Sequence, residues 1–386
     1  MMETHLGIRG LGAVTGYGWG VEPFWKGMTA GKHAASLVDG HGEDGDRAAW
    51  VANVPAGGDE IDGPSRFSRA MRGAVREAVT DARARGWREG RRVGLLHAVV
   101  LGEVELWRDF YLQHQGNRAA RDYLPLMPST PTSTLMKEFG FHGPAMNVSA
   151  MCASGNAGLL TAKAWLDAGI VEDVVFVATD LSATRENVLH FERLGVAVTD
   201  AEPLDVCRPF QEGSRGFPAG EASVAMVLSR GGGTPYANLL GGAMSHDAHH
   251  VTSIDPALTE VTRCFEEAFE NSGVESSDLR YLNAHGPGTQ QCDKAEAGVF
   301  DTLFPADAEL YSVKPLVGHC QGAASAVEIA ATALGYDRGV VPAAPKVAQG
   351  HARLLDGPTS VRRGVTVKSS LGMGGHNSVV LLSSAD

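Results

Sequence analysis

Three side chains able to run acyl transfer stand beside glycine-rich or small-residue turns: Cys152 in NVSAMCASGNAG, His285 in NAHGPGTQQCD and His319 in SVKPLVGHCQGAAS. The strand-like run AMNVSAM precedes Cys152, and a helix-like run of small residues follows it. That setting places the thiol at or near a helix N-terminus, where free N–H groups and the helix dipole favour a thiolate. Ala153, Ser154 and Gly155 leave room for a substrate carbonyl. An inert buried thiol is the other reading, and the local sequence leaves both open. Cys207, Cys264, Cys292 and Cys320 lack this setting and read as structural, with Cys320, beside His319, the one expected to come near the site.

Of 14 histidines, His285 and His319 are singled out because each follows a strand-like segment and is bordered by glycine. Side chains so placed are presented at the carboxyl end of a sheet, where α/β proteins build their sites. A thiol with two imidazoles suits a ping-pong reaction: the thiolate takes an acyl group from a thioester, and two neutral imidazoles donate Nε2–H to a carbonyl oxygen as an enolate forms on loss of CO2. Lys314, in a glycine-flanked apolar segment, needs a partner if buried, and Glu328 on the following helix is the candidate. Asp293 and Glu296 are expected to hold the His285 loop by capping, a metal role being the weaker alternative. Gly372 and Gly374 allow a tight turn around Met373, whose N–H would pair with that of Cys152 as an oxyanion hole. No phosphate-binding glycine motif occurs in the right setting.

The elements that must position these groups follow from periodicity. Strands are expected at 5–15, in RVGLLHAVVLG, AMNVSAM, EDVVFVATD, GEASVAMVLSR and YANLLGGAMSHDA, then in LRYLNAHG, AELYSVKP and the closing GVTVKSSLGMGGHNSVVLLSS. Helices are expected at 65–86, over ASGNAGLLTAKAWLDAG, over PALTEVTRCFEEAFENSG, at 292–303 and over GAASAVEIAATALGY. The two small-residue helices suit a central layer. A comparable order of elements recurs after about residue 250, which suggests a duplicated α/β unit, divided here as 1–245 and 246–386.

Composition closes off other classes. A net charge of -12 argues against a nucleic-acid partner. Five widely spaced cysteines make no disulfide framework, no 18-residue apolar run appears, and the N-terminus lacks the pattern of a signal peptide, so a cytoplasmic protein without a membrane segment is expected.

Taken together, CASG at 152, AHGPGTQQCDKAE, SVKPLVGHCQGAASAVE, SSLGMGGHNSVV and CRPFQEGSRGFPAGEAS resemble the elongating β-ketoacyl-acyl carrier protein synthases over roughly residues 5–383. The resemblance implies the thiolase fold, an α/β duplication with an α-β-α-β-α layered architecture, the nucleophile and inserted cap and dimer segments in the first half and both histidines in the second. It implies that Cys152 is acylated, that His285 and His319 bind the thioester carbonyl, that Lys314 and Glu328 support them, and that Cys152 and Met373 supply oxyanion N–H groups. Thr289 keeps a hydroxyl where the family has a second threonine, while Pro287 replaces the first. The implied reaction is decarboxylative Claisen condensation with no bound cofactor and no metal, on substrates carried as phosphopantetheine thioesters of an acyl carrier protein. A homodimer is implied, with a heterodimer with a ketosynthase-like subunit as the alternative.

Departures concern the surroundings. Met373 and Leu371 stand where the family has phenylalanines, His376 where it has threonine, and Ser214 and Arg215 alter the R.GF segment. The turn after the second strand, HAVVLGEVELW, is bulky and acidic where the family is glycine-rich, so a short, polar or reshaped acyl pocket is expected. These changes suit a specialised polyketide or fatty-acid-like pathway. Two alternatives remain: an acyltransferase that passes the group from Cys152 without decarboxylation, and a non-catalytic chain-length or scaffolding subunit, against which Cys152 speaks. A thiolase is disfavoured because the closing glycine turn holds no second cysteine. Arg66, Arg69, Arg72 and Arg76 recur along the helix at 65–86 and are a candidate carrier-protein patch, or a solvated helix face.

Overall fold

Ten strands carry the scaffold in the computed structural model, which describes residues 6–112 and 123–385. The first five are β1 (Leu6–Thr15), β2 (Val93–Ala98), β3 (Ala145–Val148), β4 (Asp173–Asp180) and β5 (Ala222–Ser229). The second five are β6 (Ala237–His246), β7 (Leu279–Asn283), β8 (Glu309–Tyr311), β9 (Val365–Gly372) and β10 (His376–Ser383). They run in the order β8-β7-β9-β10-β6-β1-β5-β4-β2-β3.

Each half therefore orders its strands third, second, fourth, fifth, first. In each, the second strand is parallel to the third and fourth, and the fifth is antiparallel to the fourth and first. The halves meet through a short antiparallel ladder between β1 and β6. Because β6 is the first strand of the second half and pairs with β10 over eight positions, we propose that the seam lies after Ser229 rather than at 245/246.

Helices complete the layers: α1 (Arg66–Ala84), α2 (Ser154–Asp167), α3 (Thr259–Ser272), α4 (Gln290–Leu303), the single turn α5 (Lys314–Val317) and α6 (Ala324–Arg338). α1 covers β1, β4 and β5 from outside, and α3 covers β6 and β10. Between them, α2 and α6 each touch strands of both halves, so the small-residue helices do form the central layer. Their closeness has a local cause: a Cβ on Gly155 would lie 2.4 Å from Ser325 Oγ and 2.8 Å from Ala326 N. Strands such as β4, buried along their whole length, need no polar alternation.

Elements absent from the sequence reading lie in the insertions. They are a hairpin, Ser36–His41 with Arg47–Ala52, and the helices Val21–Thr29, Val104–Leu112, Thr130–Phe139 and Arg185–Arg193. The arginine row on α1 is not an open basic patch. Arg66 pairs with Glu105 at 2.7 Å and Glu221 at 2.9 Å, Arg72 with Glu138 at 2.8 Å, and Arg76 with Asp62 at 2.7 Å. Arg69 donates to the Ser65 carbonyl. Acids from four separate segments thus pair with Arg66, Arg72 and Arg76, so the row is withdrawn as an open basic docking patch.

Candidate active site

Cys152 lies between β3 and α2, two residues before the helix begins. The chain turns there through Met151, whose φ of 49° is unusual for a residue with a side chain. The turn is pinned by Ala150 N–H donating to Ser154 Oγ at 2.8 Å, Ser154 Oγ–H donating to the Met151 carbonyl at 2.6 Å and Ser370 Oγ–H donating to the Cys152 carbonyl at 2.9 Å. Asn156 Nδ2–H ties the start of α2 to the carbonyls of Lys368 and Ser378. The glycine turn between β9 and β10 comes close: a Cβ on Gly372 would stand 3.0 Å from the Ala150 carbonyl oxygen, and Gly374 has a φ of 88°.

The β7–α4 loop presents His285. Both oxygens of Glu296 accept from it, from His285 N–H at 2.8 Å and Gly286 N–H at 2.7 Å, and Ser369 Oγ–H donates to the same carboxylate at 2.6 Å. Asp293 accepts from Gly288 N–H at 3.2 Å and from Phe210 N–H at 3.1 Å. Both acids thus fasten the loop. Gly318 turns the chain after α5 to present His319, whose ring meets Phe217 at 4.6 Å and His285 at 5.4 Å between centroids.

One ligating atom each of Cys152, His285 and His319 lie within 4.8 Å of one another, the only such set of three among the described residues. The set borders a cavity of about 180 Å³ that also meets Thr289, Cys292 and Met373. Cys292, not Cys320, is therefore the second thiol at the cavity; Cys320 is buried with its sulfur toward the Val317 and Gly318 carbonyls.

Proton positions follow from the partners. Gln321 N–H donates to Nδ1 of His319 at 3.1 Å, and Lys314 Nζ lies 3.3 Å from Nδ1 of His285. With Nδ1 accepting in both rings, a neutral imidazole carries its proton on Nε2. Burial, then the positive charge of Lys314, holds both imidazoles well below the ordinary histidine range. A cation at this set would need the Nε2 lone pairs that these protons occupy, so the arrangement favours donation to a substrate oxygen over metal binding.

Burial also pushes the Cys152 thiol up to about 11, against the lowering influence of Lys314 and of the Met373 and Cys152 N–H groups. The thiolate expected from the helix terminus alone is thus outweighed by desolvation. Lys314 is fully buried; it ion-pairs with Glu328 and donates to the His285 carbonyl.

A second buried lysine escaped the sequence reading. Lys368, on β9, pairs with Glu328 at 2.7 Å and donates to the Asn283 and Ala284 carbonyls, and burial lowers its pKa to about 8. Two buried lysines thus share one carboxylate beside both histidines, with Glu296 a second buried acid next to them. The signal was available: a lone lysine in the buried run GVTVKSSLG poses the same question as Lys314.

A thiol joined by two imidazoles and two buried lysines is the candidate acyl-transfer site of this duplicated α/β scaffold. The β-ketoacyl synthase N-terminal domain model matches residues 4–232, and the C-terminal domain model matches 236–348. The chain belongs to the β-ketoacyl synthase family and is an enzyme of that class.

It is 29% identical over 371 residues to the tetracenomycin polyketide synthase ketoacyl synthase alpha subunit of Streptomyces glaucescens, covering 88% of this chain and 86% of that one. It is 27% identical over 335 residues to 3-oxoacyl-[acyl-carrier-protein] synthase 2 of Staphylococcus aureus strain COL, covering 82% and 81%. A solved complex described as a type II PKS acyl-carrier protein with its ketosynthase bound to the hexaketide (AntDE:AntF) contains a chain that superposes with a TM-score of 0.87 at 23% identity, covering 98% of this chain and 99% of that one. That likeness establishes the thiolase fold of the ketosynthases.

Proposed function

We infer that this protein performs decarboxylative Claisen condensation. Cys152 sulfur attacks an acyl thioester; the acyl–Cys152 bond forms, the bond to the pantetheine sulfur breaks, and the thiol proton leaves with the released thiol. The carbonyl oxygen of a malonyl-type thioester then sits between Nε2–H of His285 and Nε2–H of His319. Loss of CO2 leaves an enolate whose charge falls on that oxygen, and the lysine pair stabilises it at short range. The enolate carbon attacks the acyl–Cys152 carbonyl, whose oxygen takes the N–H groups of Cys152 and Met373. Collapse releases the β-ketoacyl thioester and Cys152 as thiolate, which takes up one proton from solvent to restore the thiol.

The observation that carries this reading is the pair of occupied Nδ1 atoms, which leaves both Nε2–H groups for the substrate. Simple acyl transfer needs only one stabilised oxyanion and leaves this second donor pair without a task. Glu328, Asp293, Glu296, Thr289, Gly372 and Gly374 act by holding these groups in place. No helix among the described residues is long and apolar enough to cross a membrane, in keeping with cytoplasmic work on substrates tethered to the phosphopantetheine arm of an acyl carrier protein.

The dimer contact is assigned to β3, the edge strand of the sheet, where Met146 is 41% exposed. An unpaired apolar edge of this kind is a template for strand pairing. The mate is a second copy or a ketosynthase-like subunit, as in the ketosynthase complex with its chain length factor from Xenorhabdus doucetiae, which contains a chain that superposes with a TM-score of 0.84 at 21% identity.

Intact-mass spectrometry tests the reaction. With acyl-pantetheine thioesters the protein is expected to gain one acyl group, lost in Cys152→Ala. Adding malonyl-carrier protein is expected to release CO2 and yield a β-ketoacyl carrier. Cys152-dependent acylation without CO2 release would select the acyltransferase reading instead.

A further inference from the structure

His376 closes two ladders at once. It is the last partner of Gly372 in the β9–β10 hairpin and the last partner of His246 in the β10–β6 ladder. The turn it closes carries Met373, whose N–H faces the Cys152 sulfur. The two imidazoles meet edge to face, with ring centroids 4.9 Å apart and planes at 83°. Both rings lie against the turn: a Cβ on Gly374 would stand 3.7 Å from His376 Cδ2, and one on Gly375 would stand 3.3 Å from His246 Cε1. Gly375 N–H donates to the Gly372 carbonyl at 3.2 Å, and Asp247 N–H donates to the Gly375 carbonyl at 2.9 Å. The residue after His246 therefore anchors the turn directly.

The acids around the pair are engaged elsewhere. Asp247 accepts from Asn377 Nδ2–H at 2.6 Å and from Asp255 N–H at 3.3 Å, Asp255 accepts from Ala257 N–H at 3.0 Å, and Glu260 on α3 pairs with Arg263. In the same loop His249 is exposed, and Nδ1 of His250 accepts from Thr252 and Ser253 N–H, each at 3.2 Å. Burial, then the charge of His246, holds the His376 imidazole below the ordinary histidine range. Nδ1 of His246 accepts from Ala248 N–H at 3.0 Å, at a residue whose φ is 49°. A protonated imidazole carries N–H on both nitrogens and cannot accept that bond.

We propose that His376 and His246 are positioning residues for the Met373 N–H, a neutral ring pair that holds the oxyanion turn against Cys152 and that protonation drives apart. The proposal rests on the condensing-enzyme reading and names a regulation of its site. Two imidazolium rings on the last rung stand directly opposite as like charges, which destabilises a cross-strand pair. Protonation of His246 also gives up the Ala248 bond, next to the anchor at Asp247. The turn then loosens, and the oxyanion on the acyl carbonyl loses the Met373 donor.

The test is the rate of Cys152 acylation by one acyl-pantetheine thioester between pH 5 and 8, read by intact mass, for the wild-type protein, His376→Phe and His246→Phe. A phenyl ring keeps the edge-to-face contact and takes no proton. Dividing each variant's rate by the wild-type rate at the same pH cancels the titration of the Cys152 thiol. That ratio is expected to rise by about fivefold from pH 8 to pH 5 in both variants. His376→Ala, which removes the ring, is expected to acylate slowly at pH 8 as well, and His376→Phe to restore the loss. A ratio that stays flat with pH in either variant overturns the proposal, as does loss of acylation at pH 8 in both phenylalanine variants while the wild-type protein is acylated. Failure of wild-type Cys152 to accept an acyl group at any pH overturns the condensing-enzyme reading, and this proposal with it.

Discussion

The two halves share one strand order, yet among the described residues only the second buries lysines where its functional loops begin. In the second half, β9 carries Lys368 and α5 carries Lys314, both fully buried against Glu328. In the first half, β4 ends in the buried Asp180, which accepts from Ser182 and from Gly322 N–H, and Glu221 is buried against Arg66. The third-strand turn holds Cys152 in one half and leads to His319 in the other; the second strand carries His97 in one and leads to His285 in the other. Duplication supplies the loop positions, and the buried charges beside them set what each loop can do. Two buried lysines lie beside the site of the proposed enolate, while the thiol comes from the half that buries none among the described residues.

Removing Lys368 attacks this contrast most directly. Lys368→Met leaves Glu328 with Lys314 alone and strips hydrogen bonds from the Asn283 and Ala284 carbonyls. Loss of one partner from a buried ion cluster typically costs about 3–5 kcal/mol, so a large fall in the denaturant midpoint is expected. An unchanged midpoint would mean that the cluster is not a closed ionic unit.

A smaller loss is expected where the halves touch. Gly155→Ala places a Cβ against Ser325 and the α6 backbone, and overpacking of this kind costs about 1–3 kcal/mol. Thermal unfolding of Gly155→Ala beside Gly298→Ala, where an added Cβ meets nothing within 4 Å, isolates the contact. Equal shifts in the two variants would remove the seam from the account.

Asp293 offers the finest probe. Burial pushes its carboxyl up to about 8, whereas the unfolded value is near 4. Between those values the folded chain holds a proton that the unfolded chain releases, so this group makes stability fall as pH rises, by up to about 1.4 kcal/mol per pH unit. Asp293→Asn is expected to flatten the stability profile between pH 5 and 8. An unaltered profile would show that Asp293 is ionised in the loop, held by its two N–H donors.

Much of this contrast was legible in the residues. Apolar β-branched runs marked the core strands, because strands buried on both faces need no alternation. Small-residue runs marked the central helices because only such residues let α2 and α6 meet. Cys152, His285, His319 and the Lys314–Glu328 pair lie in glycine-rich or small-residue segments whose purpose packing alone does not supply.

What escaped notice depends on distant partners. Lys368 pairs with a carboxylate 40 positions away. The α1 arginines look free until Asp62, Glu105, Glu138 and Glu221 fold onto them. The thiol at the helix terminus was read from local dipoles, while its proton affinity is dominated by desolvation from the whole fold. The inserted helices between 100 and 140 carry mixed polarity, with no single period to announce them.

The division of labour between the halves is tested most directly by single-turnover mass spectrometry of His285→Ala and His319→Ala. The account predicts that both variants still acquire an acyl group on Cys152, while subsequent condensation with malonyl-carrier protein falls by about 10²–10³-fold, the scale for loss of one oxyanion donor. Condensation at the wild-type rate in either variant, or loss of acylation as severe as the loss of condensation, would contradict it.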